Sequence, residues 1–348
     1  MSEWSYVGQV ILAPMVRIGT LPMRLLAIKY GATIAYSEEI IDKKILQTTR
    51  VENPRLGTVE YNLPSGSTVF ATVPGERVVF QMGTNDPERA VQAALHVQRD
   101  VRAIDVNMGC PKHFSVHAGM GAGLLTKPEL AAEIIKQLKA SLSCPVTCKI
   151  RLLPEPKQTL DLVAKLETAG VDAIAVHGRQ VPDRSRFEAD LDGIRYVKEH
   201  AKVPIIHNAD IFLYQDIDKM KAITLCDSVM IARGAQWNCS IFRKEGVLPV
   251  YNVMRDYVDI AKLYENRYAN TKYCLTSMIK PAGKTEVARK LFQCKDYDEL
   301  ELIINEFSKV PSLAHGYEVP EKLQPRTSFL LDGNLMLEQK NPKRIRLE

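Results

Sequence analysis

Eight short apolar runs, rich in β-branched residues and separated by helical patterns, constrain the fold of this chain more than any other feature. The runs show little polar alternation, as expected of strands buried on both faces of a parallel sheet. Asp86 with Pro87 and Asp190 are suitable helix starts, and Gly31 and Gly170 are suitable helix ends. The runs are QVILAP (9–14), TIAYSE (33–38), RVVFQM (77–82), AIDVNM (103–108), PVTCKI (145–150), AIAVHG (173–178), PIIHNA (204–209) and SVMIAR (228–233).

This alternation of strands and helices predicts an α/β fold, a (β/α)8 TIM barrel. A doubly wound sheet is the alternative, but no GxGxxG follows the first run. One insertion, LGTVEYNLPSGSTVFAT (56–72), has two strand-like halves around Pro64 and predicts a β-hairpin between the second and third barrel strands. After Pro249 the sequence carries only helical spacing. We therefore expect a barrel domain over 1–249, a small all-α domain over 250–331 and a charged tail over 332–348.

Composition excludes several classes of protein. The chain has 348 residues, of which 46% are hydrophobic and 25% charged, as in ordinary globular domains. No apolar run approaches the ~18 residues of a membrane span, and the N-terminus does not resemble a signal peptide. The seven cysteines are irregularly spaced, which favours free thiols in a reducing cytoplasm. No second cluster completes four metal ligands around the CxxxC or HxxxH pairs, so we expect no metal. We also expect no membrane association and a monomer.

Positive charge is concentrated near the end of the chain. The net charge is only +5, yet the segment from Lys262 to Lys295 holds eight basic residues against Glu265 and Glu286. Such a segment is either a solvated helix face or a patch that binds a polyanion such as nucleic acid. The basic residues are Lys262, Arg267, Lys272, Lys280, Lys284, Arg289, Lys290 and Lys295.

Polar side chains follow the strand runs at the end where a barrel carries its chemistry. Lys149 stands inside an apolar run, and a buried lysine is rare unless it is paired. Other readings remain open for the neighbouring residues: His177 could be a core histidine, Asn107 could cap a loop, Asp210 could cap a helix and Cys110 could be a small buried hydrophobe. One shared ligand explains them together better than separate structural roles do.

A flat polar ring with a phosphate fits this set of residues, and flavin mononucleotide (FMN) is such a ligand. Gln81, Asn107, Lys149 and His177 can address the heteroatoms of the ring edge. A cation near the pyrimidine side of the ring stabilises reduced flavin. The loops after the last two runs, HNADI and ARGAQW, occupy the place where barrels often bind phosphate.

Seven motifs together resemble the tRNA-dihydrouridine synthase family: ILAPM, VVFQMGT, DVNMGCPK, GMGAGLL, VTCKIRL, AVHGR and ARGA. Two further stretches, NTKYCL and WNCSIFRKEG, are most similar to the eukaryotic branch that acts on the D-loop uridine conventionally numbered 20. The resemblance covers about residues 9–310. It implies an FMN-bearing barrel, a helical tRNA-binding domain and reduction of one uridine at the expense of NADPH.

The resemblance also implies roles for individual residues. It makes Cys110 the catalytic acid and places flavin contacts at the turn after the first strand, along the ring edge and at the phosphate end. From the basic segment and the polar end of the sixth run, we expect tRNA contacts at Arg179, Lys272, Lys280 and Lys284. The candidate flavin-binding residues are Pro14, Met15, Val16, Gln81, Asn107, Lys149, His177, Asn208, Ala209, Asp210, Ala232 and Arg233.

The implied chemistry explains the cysteine. Hydride added at C6 of uracil leaves enolate character across C5 and the C4 oxygen, so C5 needs a proton. A neutral Cys110 thiol, with an ordinary pKa of ~8.5, can supply it near neutral pH. Two rival functions are an FMN barrel acting on a free pyrimidine, of the dihydroorotate dehydrogenase kind, and a catalytically silent tRNA-binding protein.

Overall fold

The computed structural model describes residues 4–184, 187–280, 286–307 and 309. The strands in this part of the chain are short, and most residues of the barrel strands are buried. They are β1 (Val10–Leu12), β2 (Ile34–Tyr36), β3 (Ile40–Ile41), β4 (Thr49–Asn53), β5 (Thr58–Asn62), β6 (Thr68–Thr72), β7 (Val78–Gly83), β8 (Ala103–Met108), β9 (Val146–Arg151), β10 (Ala173–His177), β11 (Ile205–Asn208) and β12 (Ser228–Ile231).

Eight of these strands close into a parallel barrel. The ring runs β2-β1-β12-β11-β10-β9-β8-β7, and pairing of β2 with β7 completes it, while the two-residue β3 extends β7 at the rim. Each of the eight strands coincides with one of the apolar runs of the sequence. The predicted (β/α)8 barrel is confirmed, and the doubly wound alternative is wrong because the sheet has no open edge at β2 or β7.

Helices surround the barrel and begin and end where the sequence indicates. The Asp86 carboxylate accepts a hydrogen bond from the Arg89 N–H, and Gly31 and Gly170 take φ values of +113° and +92° that favour glycine. The helices are α1 (Leu21–Lys29), α2 (Asp42–Ile45), α3 (Pro87–Val97), α4 (His113–His117), α5 (Pro128–Ser141), α6 (Pro156–Thr168), α7 (Leu191–His200), α8 (Asp216–Thr224), α9 (Arg233–Trp237), α10 (Val250–Leu263), α11 (Tyr268–Met278), α12 (Glu286–Gln293) and α13 (Tyr297–Phe307).

The barrel interior is filled by alternate residues of the strands. One buried cluster contains inward-facing residues of all eight barrel strands except β9, among them Ile11, Tyr36, Val79 and Ala103. Tyr6 joins this cluster, and its carbonyl oxygen accepts a hydrogen bond from the Ser228 hydroxyl at 2.6 Å. The interior is thus a packed core, which leaves the carboxyl ends of the strands for polar side chains.

The insertion between β2 and β7 is a three-stranded antiparallel sheet. The predicted hairpin is confirmed as β5 and β6, and β4 pairs with β5 as a third strand that the sequence analysis missed. The β4 sequence TRVEN carries two charges and a single apolar residue, so it lacks the apolar signal of the barrel strands. The turn between β6 and β7 is joined to α1 by a buried ion pair of Arg24 with Glu76, in which the Nε to Oε1 distance is 2.6 Å and both side chains are 1% exposed.

The helices after Pro249 pack directly on the barrel. Met23 and Leu26 of α1 share a buried cluster with Val253 and Tyr257 of α10. Asn270 of α11 donates a hydrogen bond from Nδ2 to the Arg17 carbonyl at 2.7 Å, which ties this helical region to the loop after β1. The change from α/β to all-α structure agrees with the sequence, whereas the domain boundary itself stays a prediction and the tail over 332–348 lies outside the described residues.

None of the helices in the described ranges is both long enough and apolar enough to cross a membrane.

We expect Glu76→Ala to lower the free energy of unfolding by about 3–5 kcal/mol, because it leaves the Arg24 guanidinium buried without its carboxylate. Urea unfolding of the two proteins measures the difference. Glu52→Ala is the control: Glu52 pairs with Arg50 on β4 but is 73% exposed, so its loss should cost less than about 1 kcal/mol. Equal effects of the two substitutions would contradict the role of the buried pair.

Candidate active site

The inner rows of β7 to β11 bring the predicted polar residues together at the carboxyl end of the barrel. Strand register places Gln81 beside Asp105, Asn107 beside Lys149, and His177 beside Asn208. Side chains two residues apart on a strand share a face. The alternating positions therefore form a polar column that rises from the core to the mouth. The residues of this column are Gln81, Asp105, Asn107, Thr147, Lys149, Arg151, His177 and Asn208.

Asp105 lies at the inner end of this polar column, level with Gln81 and Thr147, and was missed by the sequence analysis. Its Oδ1 accepts a hydrogen bond from the Thr147 hydroxyl at 2.7 Å, and its Oδ2 accepts one from Gln81 Nε2 at 2.9 Å. Burial raises the pKa of Asp105 to about 6. The sequence could have indicated it, because Asp105 is a charged residue inside an apolar run, and the same feature had indicated Lys149.

Lys149 is the principal cation at the barrel mouth. Burial, with a smaller contribution from Arg151, lowers its pKa to about 7, and the attraction of Asp105 opposes this only in part. No residue in the described part of the chain forms a hydrogen bond with its Nζ. An ammonium group in this position has donors to offer a ligand.

His177 is a neutral imidazole with an unused nitrogen. Its Nδ1 is buried and has no hydrogen-bond partner among the described residues. Burial, followed by the nearby charges of Lys149 and Arg151, holds its pKa well below the usual range. A buried polar atom without a partner is costly, so the geometry favours an occupant that would satisfy it.

A cluster of two arginines and one carboxylate lies beside His177. Arg179 donates a hydrogen bond from Nη2 to Asp210 Oδ2 at 2.6 Å, and Arg233 pairs with the other oxygen of the same carboxylate. The cluster therefore has one net positive charge and can attract an anion. Helix α8 begins only at Asp216, so Asp210 is not the helix cap that the sequence left open.

The cleft in front of this cluster gathers most of the predicted phosphate end. It is lined by Asn208, Ala209, Asp210, Ala232 and Arg233, together with His177. Asn208 is oriented by a hydrogen bond from its Nδ2 to the Met230 carbonyl at 2.8 Å.

Arg179 belongs to the buried cluster and not to a surface. Its side chain is 4% exposed, and its Nε donates a hydrogen bond to the Phe187 carbonyl at 2.8 Å. This burial favours a role in fixing Asp210 over the tRNA contact that the sequence suggested.

The turn after β1 forms another part of the rim. The Met15 carbonyl accepts hydrogen bonds from the N–H groups of Ile18 at 3.0 Å and Gly19 at 2.8 Å. Pro14 and Met15 are half-buried and Val16 is exposed. The three predicted residues thus sit on a closed turn at the carboxyl end of a barrel strand.

The loop that carries Cys110 is held from two sides. Asn107 Oδ1 accepts hydrogen bonds from the N–H groups of Gly109 at 2.9 Å and Cys110 at 3.0 Å, while Arg151 Nε donates one to the Gly109 carbonyl at 2.7 Å. Asn107 therefore caps this loop, which is one of the roles that the sequence left open. Cys110 is half-buried, and burial raises the pKa of its thiol. The thiol is consequently neutral near pH 7.

The basic segment is less positive than its own sequence indicates. Lys262 pairs with Glu301 at 2.6 Å, and Lys290 pairs with Glu306 at 2.8 Å. Both acids lie on α13, beyond the segment whose charges the sequence analysis counted. Lys272 donates a hydrogen bond to the Cys294 carbonyl at 2.8 Å, so its ammonium group is also engaged.

The remaining cations of this segment define a smaller surface. Within the described part of the chain, Arg267, Lys280, Arg289 and Lys295 are exposed and form no ion pair, but the Lys295 N–H donates a hydrogen bond to the Glu299 carboxylate at 2.9 Å. We call Arg267, Lys280 and Arg289 the open cations. Lys284 lies outside the described residues.

A closed eight-stranded barrel with a basic, amide-lined mouth and a thiol on a fixed loop defines a TIM-barrel enzyme. Residues 11–310 match the family described as dihydrouridine synthase (Dus). This match covers well over half of the chain, which therefore belongs to the dihydrouridine synthase family. The resemblance stated from the sequence motifs is confirmed.

Individual relatives agree with this assignment. A tRNA-dihydrouridine(20) synthase (NAD(P)+) of Schizosaccharomyces pombe is 41% identical over 315 residues, covering 86% of this chain and 66% of that protein. The enzyme of the same name from Saccharomyces cerevisiae is 34% identical, covering 97% of this chain and 94% of that protein. A human tRNA-dihydrouridine(20a/20b) synthase (NAD(P)+)-like protein is 31% identical over 74% of this chain and 78% of its own length.

We expect Lys149→Met to stabilise the flavin-free protein and to weaken flavin binding. The pKa of Lys149 is about 7 in the folded chain and about 10.4 when unfolded. Between these values the unfolded chain binds more protons, so the stability of the parent protein rises with pH across that window. The advantage of the variant should therefore be largest at and below about pH 7 and shrink as the pH rises.

Unfolding of both flavin-free proteins by urea at several pH values measures this effect. Lys165→Met is the control, because Lys165 lies on the surface with its side chain 44% exposed. A stability difference between parent and Lys149→Met that does not change with pH would contradict the assigned protonation.

Proposed function

We propose that this chain reduces a uridine of tRNA to 5,6-dihydrouridine, with FMN bound at the barrel mouth and NADPH as the reductant. The observation that carries the proposal is the neutral Cys110 thiol, fixed on its loop at the rim of a mouth where Lys149 Nζ and His177 Nδ1 have no hydrogen-bond partner in the described ranges. Membership of the dihydrouridine synthase family supports the same reaction.

The residues at the mouth fit FMN. Lys149 Nζ and His177 Nδ1 have no partners among the described residues and would address the ring. The positive cluster around Asp210 and the adjoining cleft would hold the phosphate, and the turn at Pro14 to Val16 would close one side. Bound FMN supplies hydride-transfer chemistry. Gln81 and Asn107 are already hydrogen-bonded to each other at 3.3 Å, so in this assignment they shape the floor of the site.

The chain itself contributes charge and a proton. With a pKa of about 7, Lys149 is readily protonated when an electron-rich group lies above it. Cys110 donates its S–H proton to C5 of the base. A C–H bond forms at C5, the S–H bond breaks, and sulfur keeps the electron pair as a thiolate. The hydrogen bonds that Asn107 and Arg151 make to the loop would hold that sulfur in place during the transfer.

The tRNA would bind across the barrel mouth and the helical region. The target base has to leave its stack to reach the site, which costs a few kcal/mol. Contacts between phosphates and the open cations would offset this cost. The seven cysteines are all free thiols, which fits the expected cytoplasmic location, and a monomer remains our expectation.

A direct test supplies the purified protein with FMN, NADPH and tRNA that lacks dihydrouridine, and detects dihydrouridine by mass spectrometry of the digested RNA. Free uracil and orotate are offered in parallel. Product on tRNA alone supports the proposal, turnover of a free pyrimidine indicates the dihydroorotate dehydrogenase-like alternative, and tRNA binding without turnover indicates a silent binding protein.

We expect Cys110→Ala to leave flavin binding and NADPH oxidation intact while uridine reduction falls by about 10²–10⁴-fold, the loss typical of a positioned acid. Cys110→Ser should also be impaired, because a hydroxyl is a far weaker acid than a thiol. Single-turnover oxidation of the prereduced protein by tRNA measures the second half-reaction separately. A Cys110→Ala rate equal to that of the parent would assign the proton to another group.

We expect replacement of the open cations, Arg267→Gln, Lys280→Gln and Arg289→Gln together, to weaken tRNA binding. The slope of the logarithm of the binding constant against the logarithm of the salt concentration should become less steep by about 0.7–0.9 per lost phosphate contact. The control is Lys262→Gln with Lys290→Gln, whose charges are paired with acids of α13. NADPH oxidation should be unchanged in both. An unchanged salt slope in the triple variant would place the RNA on another surface.

A further inference from the structure

Asp105 is a fully buried carboxylate to which the proposed reaction gives no role. Its exposed fraction is 0%, and its two oxygens accept hydrogen bonds from neutral groups, the Thr147 hydroxyl at 2.7 Å and Gln81 Nε2 at 2.9 Å. Among the described residues it forms no ion pair. A carboxylate buried in this way costs free energy that an apolar side chain at the same place would not. The carboxylate therefore needs an explanation other than packing.

A series of hydrogen bonds leads from this carboxylate to the Cys110 loop. Gln81 Nε2 donates to Asp105 Oδ2, and Asn107 Nδ2 donates to Gln81 Oε1 at 3.3 Å. Asn107 Oδ1 then accepts from the N–H groups of Gly109 at 2.9 Å and Cys110 at 3.0 Å. Gln81 and Asn107 are 2% and 8% exposed, so these links lie away from bulk water. We call the hydrogen bonds from Asp105 through Gln81 and Asn107 to the loop the directed chain.

The two ends of the directed chain fix the orientation of both amides between them. An ionised carboxylate only accepts hydrogen bonds, and a backbone N–H only donates them. Gln81 must therefore turn its NH2 group toward Asp105 and its oxygen toward Asn107. This orientation leaves the Asn107 oxygen free to accept from the two loop amides. If both side-chain amides were reversed, the Asn107 NH2 group would face the N–H groups of the loop, and no hydrogen bond would form there.

The other oxygen of Asp105 leads away from the loop. Thr147 donates to Oδ1, and its hydroxyl oxygen lies 3.5 Å from that of Tyr36 in the barrel interior. Removal of the Thr147 hydroxyl would take a hydrogen bond from the same buried carboxylate and leave the directed chain complete. Thr147 therefore provides a matched control for substitutions within the chain.

The Cys110 loop also has anchors that do not involve Asp105. Arg151 Nε donates to the Gly109 carbonyl at 2.7 Å, and the Ala122 N–H donates to the Cys110 carbonyl at 3.0 Å. These anchors hold the two carbonyl groups, whereas the directed chain holds the two N–H groups. Loss of the directed chain should therefore loosen the loop without unfolding it.

We propose that Asp105 is a positioning residue that fixes the Cys110 loop from inside the barrel, because it orients the side-chain amides of Gln81 and Asn107. The importance of the loop as the carrier of a proton donor rests on the proposed function, whereas the orientation of the amides does not. A substitution that breaks the directed chain in the barrel interior should free the Gly109 and Cys110 amides at the mouth.

The test measures hydrogen exchange of the Gly109 and Cys110 amides in the full-length protein. Flavin-free protein is used so that a change in flavin occupancy does not contribute. Fragmentation of the peptides in the mass spectrometer resolves the two amides. The Ile174 N–H, which donates to the Pro204 carbonyl at 3.0 Å, reports general opening of the barrel in the same samples.

With Asp105→Leu we expect the Gly109 and Cys110 amides to exchange about three- to tenfold faster, as expected when each loses one hydrogen bond. Gln81→Met, which removes the middle link, should give the same result and serves if the leucine variant folds poorly. Thr147→Val should leave both loop amides as protected as in the parent, although it too removes a buried hydrogen bond to Asp105.

Unchanged exchange of the two loop amides in both Asp105→Leu and Gln81→Met would overturn the inference, since Asn107 would then hold the loop unaided. Loop exchange that is as fast in Thr147→Val as in Asp105→Leu would also contradict it. The same holds for acceleration at Ile174 that equals the acceleration at the loop, because this would indicate a general loss of stability.

This readout involves no turnover, so its failure and the failure of the proposed function can be distinguished. If Cys110→Ala reduces uridine as fast as the parent while Asp105→Leu still frees the loop amides, the proposed acid is wrong and the positioning role of Asp105 stands. If Cys110→Ala loses uridine reduction while the loop amides of Asp105→Leu stay protected, the acid stands and the positioning role is wrong.

Discussion

The hydrogen-bonded carboxylate of Asp105, buried inside the barrel beneath Lys149, is the interaction on which the site depends. Gln81 and Thr147 hold its two oxygens, and the same strands carry Asn107 and Lys149 one step higher. Burial brings the pKa of Asp105 up to about 6 and that of Lys149 down to about 7, and the attraction between the two groups opposes both shifts in part. A ligand above Lys149 thus meets a cation whose protonation it can strengthen.

Stability and function oppose each other at this mouth. The nitrogens of Lys149 and His177, which have no hydrogen-bond partner among the described residues, cost free energy when no ligand is bound. The buried pair of Arg24 and Glu76 and the shared core of α1 and α10 lie away from the chemistry. The backbone of the Cys110 loop is fixed by hydrogen bonds to the side chains of Asn107 and Arg151. A firm scaffold therefore presents polar groups that only a ligand would satisfy.

The sequence predicted the barrel because each strand is a local apolar run, and it predicted β5 and β6 from the turn around Pro64. It missed β4, whose pairing with β5 gives no apolar signal in TRVEN. It overstated the basic patch because the neutralising acids are on α13, and it could not decide whether Asn107 caps a loop. These failures share one cause: partners that are distant in sequence become visible only when strands and helices are placed together.

The central claim is that the barrel mouth binds a flat ring at Lys149 and His177 and a phosphate at the Asp210 cluster. Fluorescence titration of the flavin-free protein with FMN and with riboflavin, which lacks the phosphate, tests both halves at once. We predict one saturable FMN site per chain and binding of riboflavin that is weaker by about tenfold or more, since a charge-assisted hydrogen bond contributes about 1.5–3 kcal/mol. Absence of saturable FMN binding, or equal affinity for the two flavins, would contradict the account.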